Sequence, residues 1–118
     1  MTATTIEKNP KPALFRTVQL LEKLRELFPD LPIQTISVFL IIAMKPGISQ
    51  RELLKLLDLS QAGMSRNVMA LGEVNRHGKP GLGLIVQNKD PFDNRQVMLT
   101  LTASGKALAE RVTALVPS

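Results

Sequence analysis

The sequence predicts an α+β, mainly helical fold: a run of helices, a two-stranded hairpin and a C-terminal helix. Three observations predict it. Residues 49–73 read as two short helices around a tight turn. Residues 36–44 are almost continuously apolar, too long for a typical strand and without period-2 alternation. Two short β-rich runs, 84–87 and 97–101, flank a polar tip, and a last amphipathic stretch follows them.

The N-terminal stretch, residues 1–12, is polar with two prolines and reads as a flexible arm ahead of a single domain spanning 13–118. From Ala13 to Phe28, the residues Leu14, Val18, Leu21, Leu24 and Phe28 recur near the helical period, with Glu22, Lys23, Arg25 and Glu26 left for solvent. Pro29-Asp30-Leu31-Pro32 ends that helix. Ile33–Lys45 is more apolar than a surface helix and reads as the central buried helix, with Thr35 as a candidate cap and Pro46-Gly47 as its stop.

Ser49 and Glu52 fit a capping box. Leu53, Leu54, Leu56 and Leu57 supply the apolar stripe of the helix they open, with Arg51, Lys55 and Asp58 outside it. After the Asp58-Leu59-Ser60 turn, Ser60 is placed to cap a second helix, and Leu59 and Met64 occupy hydrophobic-staple positions. In that second helix Met64, Val68 and Leu71 make a narrow inward seam, while Gln61, Gly63, Ser65, Arg66 and Asn67 are small or polar. Arg reads guanine, and Asn or Gln reads adenine, through paired hydrogen bonds. A helix N-terminus offers free N–H groups to phosphate. A thin apolar side and a slim polar side are what a helix entering a DNA groove needs. The competing reading is two ordinary amphipathic helices of a small bundle. Gly63 weighs against it, since glycine in a helix costs about 1 kcal/mol relative to Ala and close approach to a ligand is one reason to keep it.

Val74–Gly83 is a loop rich in Gly, with Arg76, His77 and Lys79 giving it positive charge. Residues 84–87 and 97–101 form the hairpin, with Asn88–Arg95 as its tip. Thr102-Ala103-Ser104-Gly105 leads into a helix over Lys106–Val116, on which Leu108, Val112 and Leu115 are helically spaced.

Composition narrows the function. The net charge of +5 and pI near 10 suit a polyanionic partner. Four Phe and no Tyr or Trp leave little for stacking on single-stranded bases. With no Cys, a disulfide framework, a thiolate metal site and a thiol sensor are excluded. The single His77 has no second His or Cys to share a metal with, and no nucleophile–base pair or phosphate-binding Gly loop points to an enzyme. The apolar run at 36–44 is too short to cross a bilayer and residues 1–11 do not form a signal peptide, so a cytoplasmic chain with no cofactor, associated with the nucleoid when on DNA, is expected.

Three motifs then coincide. The segment Gly47–Leu71, GISQRELLKLLDLSQAGMSRNVMAL, the tip Asp90-Pro91-x-Asp93-x-Arg95 and the junction Leu101-Thr102-x-x-Gly105 together resemble the MarR family of winged helix-turn-helix regulators over residues 33–110. The resemblance implies a winged helix-turn-helix that binds double-stranded DNA as a transcriptional regulator, most simply a repressor. It places the second helix of the pair in the major groove and Arg95 of the wing in the minor groove, with Asp93 supporting Arg95. The expected DNA-contacting set is Ser49, Gln50, Ser60, Gln61, Gly63, Ser65, Arg66, Asn67, Arg76, Lys79, Lys89, Asn94 and Arg95. The chain departs from the pattern in its longer Asn75–Gly83 loop, in Asn94 where a second Arg is frequent, and in short terminal helices. A homodimer, if formed, would use Ala13–Phe28 and Lys106–Val116. Two other roles are compatible: a winged-helix module in replication, recombination or a phage or plasmid switch, and a protein-interaction module.

Overall fold

A computed structural model describes residues 9–73 and 80–116. Among them the order is α1 (Lys11–Leu27), α2 (Ile33–Met44), β1 (Ile48–Ser49), α3 (Gln50–Leu57), α4 (Gln61–Leu71), β2 (Ile85–Asp90), β3 (Asp93–Leu101) and α5 (Ala103–Thr113). The three strands form one antiparallel sheet in the order β1-β3-β2. The result is the mainly helical α+β, winged helix-turn-helix arrangement that the sequence predicts.

The centre is α2. Its Val38, Phe39 and Ile42 are fully buried, and Phe39 meets Phe28 edge-on with ring centroids 5.5 Å apart. Around them close Leu53 of α3, Met64, Val68 and Leu71 of α4, Ile48, Ile85 and Leu99 of the sheet, and Val112 of α5. Thr35, Ile36, Val38, Phe39 and Ile42 form the buried face of α2, whereas Leu40, Ile41 and Ala43 are half-buried and Ile33 and Met44 are exposed; the run shows little amphipathic contrast because both of its faces are apolar. The seam of α4 is as expected, and Leu59 packs against the same core from the turn.

Two glycines fix how the wing joins the helices. A Cβ on Gly105 would stand 2.1 Å from the carbonyl oxygen of Leu84, so α5 can lie this close to the start of the hairpin only with Gly there. Thr102 completes the junction. Its amide donates to Leu84 O at 3.0 Å, its hydroxyl donates to Gly83 O at 2.7 Å, and its Oγ1 accepts the Gly105 N–H at 3.0 Å. The L-T-x-x-G motif is thus a packing joint. Gly81 is equally constrained, since a Cβ there would fall 2.3 Å from Gly72 O. The amides of Gly81, Leu82, Gly83 and Leu84 bond back to the carbonyls of Glu73, Ala70, Gly72 and Leu71. This satisfies carbonyls that the end of α4 would otherwise leave orphaned and pinches the neck of the long loop shut.

Several expectations are corrected. The first helix begins at Lys11, so the tail of the supposed flexible arm is helical; Pro12 sits where a helix has no use for an N–H. Thr35 does not cap α2, which starts behind Pro32; it is buried and bonded elsewhere. Leu56 is 62% exposed, because it lies about 200° around α3 from Leu54. A short strand, β1, precedes α3 and pairs Ile48 with Leu99. The wing strands run farther than their apolar cores, leaving only Pro91 and Phe92 between them, since backbone pairing in an exposed ribbon is indifferent to side-chain polarity. Finally, α5 starts at Ala103, capped by Thr102, and ends at Thr113, with the next residues in a turn.

Candidate nucleic-acid interface

Local sequence positions both helices of the pair. Ser49 Oγ accepts the Glu52 N–H at 3.1 Å and Ser60 Oγ accepts the Gly63 N–H at 3.0 Å, so both N-termini are held by side-chain caps. Between them Asp58 turns the chain with φ of 52°. These devices set the angle at which α4 leaves the body.

The two sides of α4 differ sharply. Gly63, Met64, Asn67, Val68 and Leu71 are buried, whereas Gln61, Ala62, Ser65 and Arg66 are exposed. A shallow depression lined by Ala62, Ser65, Arg66 and Met69 runs along that outer side. The sequence predicts Asn67 on this side, and the structure places it inside. It is 8% exposed; its Oδ1 accepts the Thr35 hydroxyl hydrogen at 2.6 Å, and its amide donates to Gln34 Oε1 at 3.4 Å. Asn67 therefore anchors α4 to α2. Gly63 is also turned inward, and the Cβ it lacks would meet Ser60 Oγ at 3.2 Å, so the capped turn itself accounts for the small residue. Ser49 is 5% exposed and serves as cap and strand residue.

In the wing the two aspartates of the tip are turned to local use. Asp90 Oδ1 accepts the Phe92 N–H at 2.8 Å. Asp93 Oδ1 accepts both the Arg95 backbone N–H, at 3.0 Å, and Arg95 Nε, at 3.1 Å. Arg95 keeps 86% of its side-chain surface exposed, so holding Nε leaves its terminal NH2 groups facing outward. The hydrogen bond from the Arg95 side chain, followed by that from its backbone, holds the Asp93 carboxyl below the usual aspartate range; Arg51 adds to the same field. On α3, Glu52 is held low chiefly by its hydrogen bond from Lys45, with help from the Ser49 backbone.

Wing and helices meet across a cleft of about 160 Å³ lined by Ser49, Gln50, Arg51, Leu54, Gln61, Arg95, Gln96 and Val97. Two guanidinium-bearing and three amide-bearing residues line it, and no carboxylate does. It brings together Gln50, Gln61 and Arg95, which the sequence singled out on three separate elements. It adds Arg51 and Gln96, which sequence reading missed. Arg51 looked like an ordinary solvent residue of α3; its one available signal was its place in the first turn of the helix. Ser60 and Lys89 are exposed, the latter on β2, and Asn94 lies in β3. Arg76, His77 and Lys79 lie outside the described residues. Among the described residues no group of three or more His, Cys, Asp or Glu is placed to hold a metal, and no helix is long and apolar enough to cross a membrane.

No protein-family model matches the chain, and no curated protein does. Solved structures match closely in shape. A mutant E. coli MarR complexed with operator DNA is 23% identical, with a TM-score of 0.64 over 98% of this chain and 79% of that one. FabT from Streptococcus pneumoniae, in complex with DNA, is 20% identical, with a TM-score of 0.67 over 87% of this chain and 68% of that one. A MarR-like transcriptional regulator from Thermotoga maritima is 22% identical, with a TM-score of 0.65 over 97% and 74%. The chain has the MarR-like winged-helix fold.

Proposed function

We propose that the chain is a double-stranded DNA-binding regulator of transcription, acting most simply as a repressor that occludes a promoter. In this reading α4 lies in the major groove, where Gln61, Ser65 and Arg66 meet base edges. Arg95 enters the adjacent minor groove, whose narrow A·T-rich form attracts guanidinium groups. Gln50, Arg51, Ser60 and Lys89 take phosphates. Arg76, Lys79 and Asn94 remain in the set on their sequence alone. Asn67 is left out, and Ser49 and Gly63 act through the caps they belong to.

One observation carries the reading. Gln61 at the start of α4 and Arg95 of the wing line the same cleft, together with Arg51, Gln50 and Gln96 and with no carboxylate among its lining residues. Two of the similar structures, those of FabT and of a mutant MarR, are complexes with DNA, which supports DNA as the partner.

The reading also includes a homodimer through α1 and α5. It is supported by an apolar stripe on α1, where Leu14, Phe15, Val18 and Leu21 are each at least half exposed, and by Leu115 and Val116 lying against the Ala13, Thr17 and Leu20 side of the same helix. A two-fold dimer would recognise half-sites about one helical turn apart. Selection of duplexes from a random-sequence pool by the full chain, followed by titration of the recovered sequence, tests the function. Enrichment of one near-palindromic sequence, bound at nanomolar concentration with affinity falling steeply in salt, is expected. Recovery of no preferred sequence would remove the reading.

A further inference from the structure

Phe92 has no place in the fold. It is 95% exposed, the most exposed of the large apolar side chains among the described residues. The turn does not require it either. Asp90 uses only the backbone N–H of Phe92. Neither Pro91 nor Phe92 has positive φ, so the hairpin closes without the left-handed conformation that would favour Gly or Asn; a register shift at Lys89/Asp90 accommodates it. Any residue would serve the turn, yet a rigid apolar ring is carried at its apex.

The ring's surroundings narrow what it meets. Asp90 and Asp93, the carboxylates of the tip, are each engaged in hydrogen bonds that fold back into the hairpin. The outward charges nearest along the strands are Lys89 and Arg95, both exposed. The two cations and two carboxylates of residues 89–95 cancel in net charge, but the cations are the exposed ones, so the tip is an apolar point flanked by Lys89 and Arg95 that suits an apolar slot bounded by anions. A base step of duplex DNA between its two phosphate rows is such a slot, and apolar side chains from minor-groove-binding elements enter it as wedges. The same β3 carries Arg95 and Gln96 into the cleft shared with Gln61, so a duplex seated on α4 is the partner that the ribbon extends toward.

On the reading that this face binds duplex DNA, we infer that Phe92 is a wedge: its ring inserts at the minor-groove edge, partly unstacks one base step and bends the duplex there. Base steps that unstack readily, such as TA and CA/TG, are then preferred at that point, a specificity that needs no hydrogen bond.

The test uses the full chain and a duplex recovered from a random-sequence pool, with 2-aminopurine replacing single adenines in turn. Unstacking raises its fluorescence. The wild-type chain should raise it at one flanking step. Phe92→Ala should abolish the rise and weaken binding roughly tenfold, Phe92→Leu should keep most of both, and Arg95→Gln should weaken binding while keeping the rise. Unchanged circular dichroism is expected for Phe92→Ala, whose side chain touches no core. A bound wild-type chain that raises no signal, or a Phe92→Ala chain that raises the same signal, overturns the wedge and leaves DNA binding standing. Failure of the wild-type chain to prefer any duplex removes the reading on which the wedge rests.

Discussion

The hydroxyl of Thr35 in α2 donates to the side-chain oxygen of Asn67 in α4 at 2.6 Å, inside the protein. A buried pair of this kind is worth little net as a bond, but each group is expensive when left alone. Asn67→Ala should therefore destabilise the chain by about 1–3 kcal/mol in urea unfolding. The double variant Thr35→Val with Asn67→Ala should recover part of that loss. Additive losses from the two single variants would show that the pair is not coupled.

Gly105 and Leu84 give a second prediction. The Cβ introduced by Gly105→Ala would lie 2.1 Å from a backbone carbonyl, so the wing and α5 must separate. The expected loss is about 1–3 kcal/mol, despite the better helix propensity of Ala. Thermal or urea unfolding that leaves the variant as stable as the wild type would contradict the tight junction.

The Asp93–Arg95 clamp makes a prediction about pH. Arg95 holds the Asp93 carboxyl low, so the wing's stabilisation by this pair is present above the ordinary aspartate pKa. It is lost as pH falls through the lowered value of the folded chain. By carboxyl-carbon NMR, Asp93 should titrate below an unpaired aspartate, and Arg95→Gln should move it upward. Because the backbone N–H bond remains in the variant, the return should be partial. An Asp93 titration unchanged by Arg95→Gln would remove the clamp.

The stripe on α1 predicts an oligomeric state. Val18 and Leu21 are half exposed and outside the core, so Val18→Glu and Leu21→Glu should leave the fold intact. Sedimentation should show a wild-type dimer and monomeric variants. A wild-type monomer at tens of micromolar would contradict the proposed assembly.

Much of this was legible in the sequence, and the exceptions have physical causes. The caps at Ser49 and Ser60 and the inward seam of α4 are readable because they rest on local spacing and apolar periodicity, and α2 is readable as a helix because its apolar run is longer than a strand and does not alternate. The exposure of Leu14, Val18 and Leu21 was not, because periodicity identifies an apolar face without saying what covers it. Asn67 was misplaced because its partners lie 32 and 33 residues away, and a polar side chain one position from the seam looks solvent-bound until Thr35 and Gln34 are brought against it. Strand β1 was missed because its two residues are ordered by Leu99 and Met98. Arg51 became part of the site only when the wing folded over α3. In the sequence Gly81 and Gly105 stand only as loop and motif glycines; their obligatory role is a contact across the fold.

The most direct test of the DNA-reading face compares wild type, Arg66→Ala and Arg51→Ala on the selected duplex and its single-base-pair variants at fixed salt. Arg66→Ala should lose about 1–3 kcal/mol of discrimination at one base pair of each half-site. Arg51→Ala should weaken every sequence alike and lower the salt slope by about 1. Equal effects of the two substitutions on all sequences, or wild-type binding blind to sequence, would contradict the placement of α4 in the major groove.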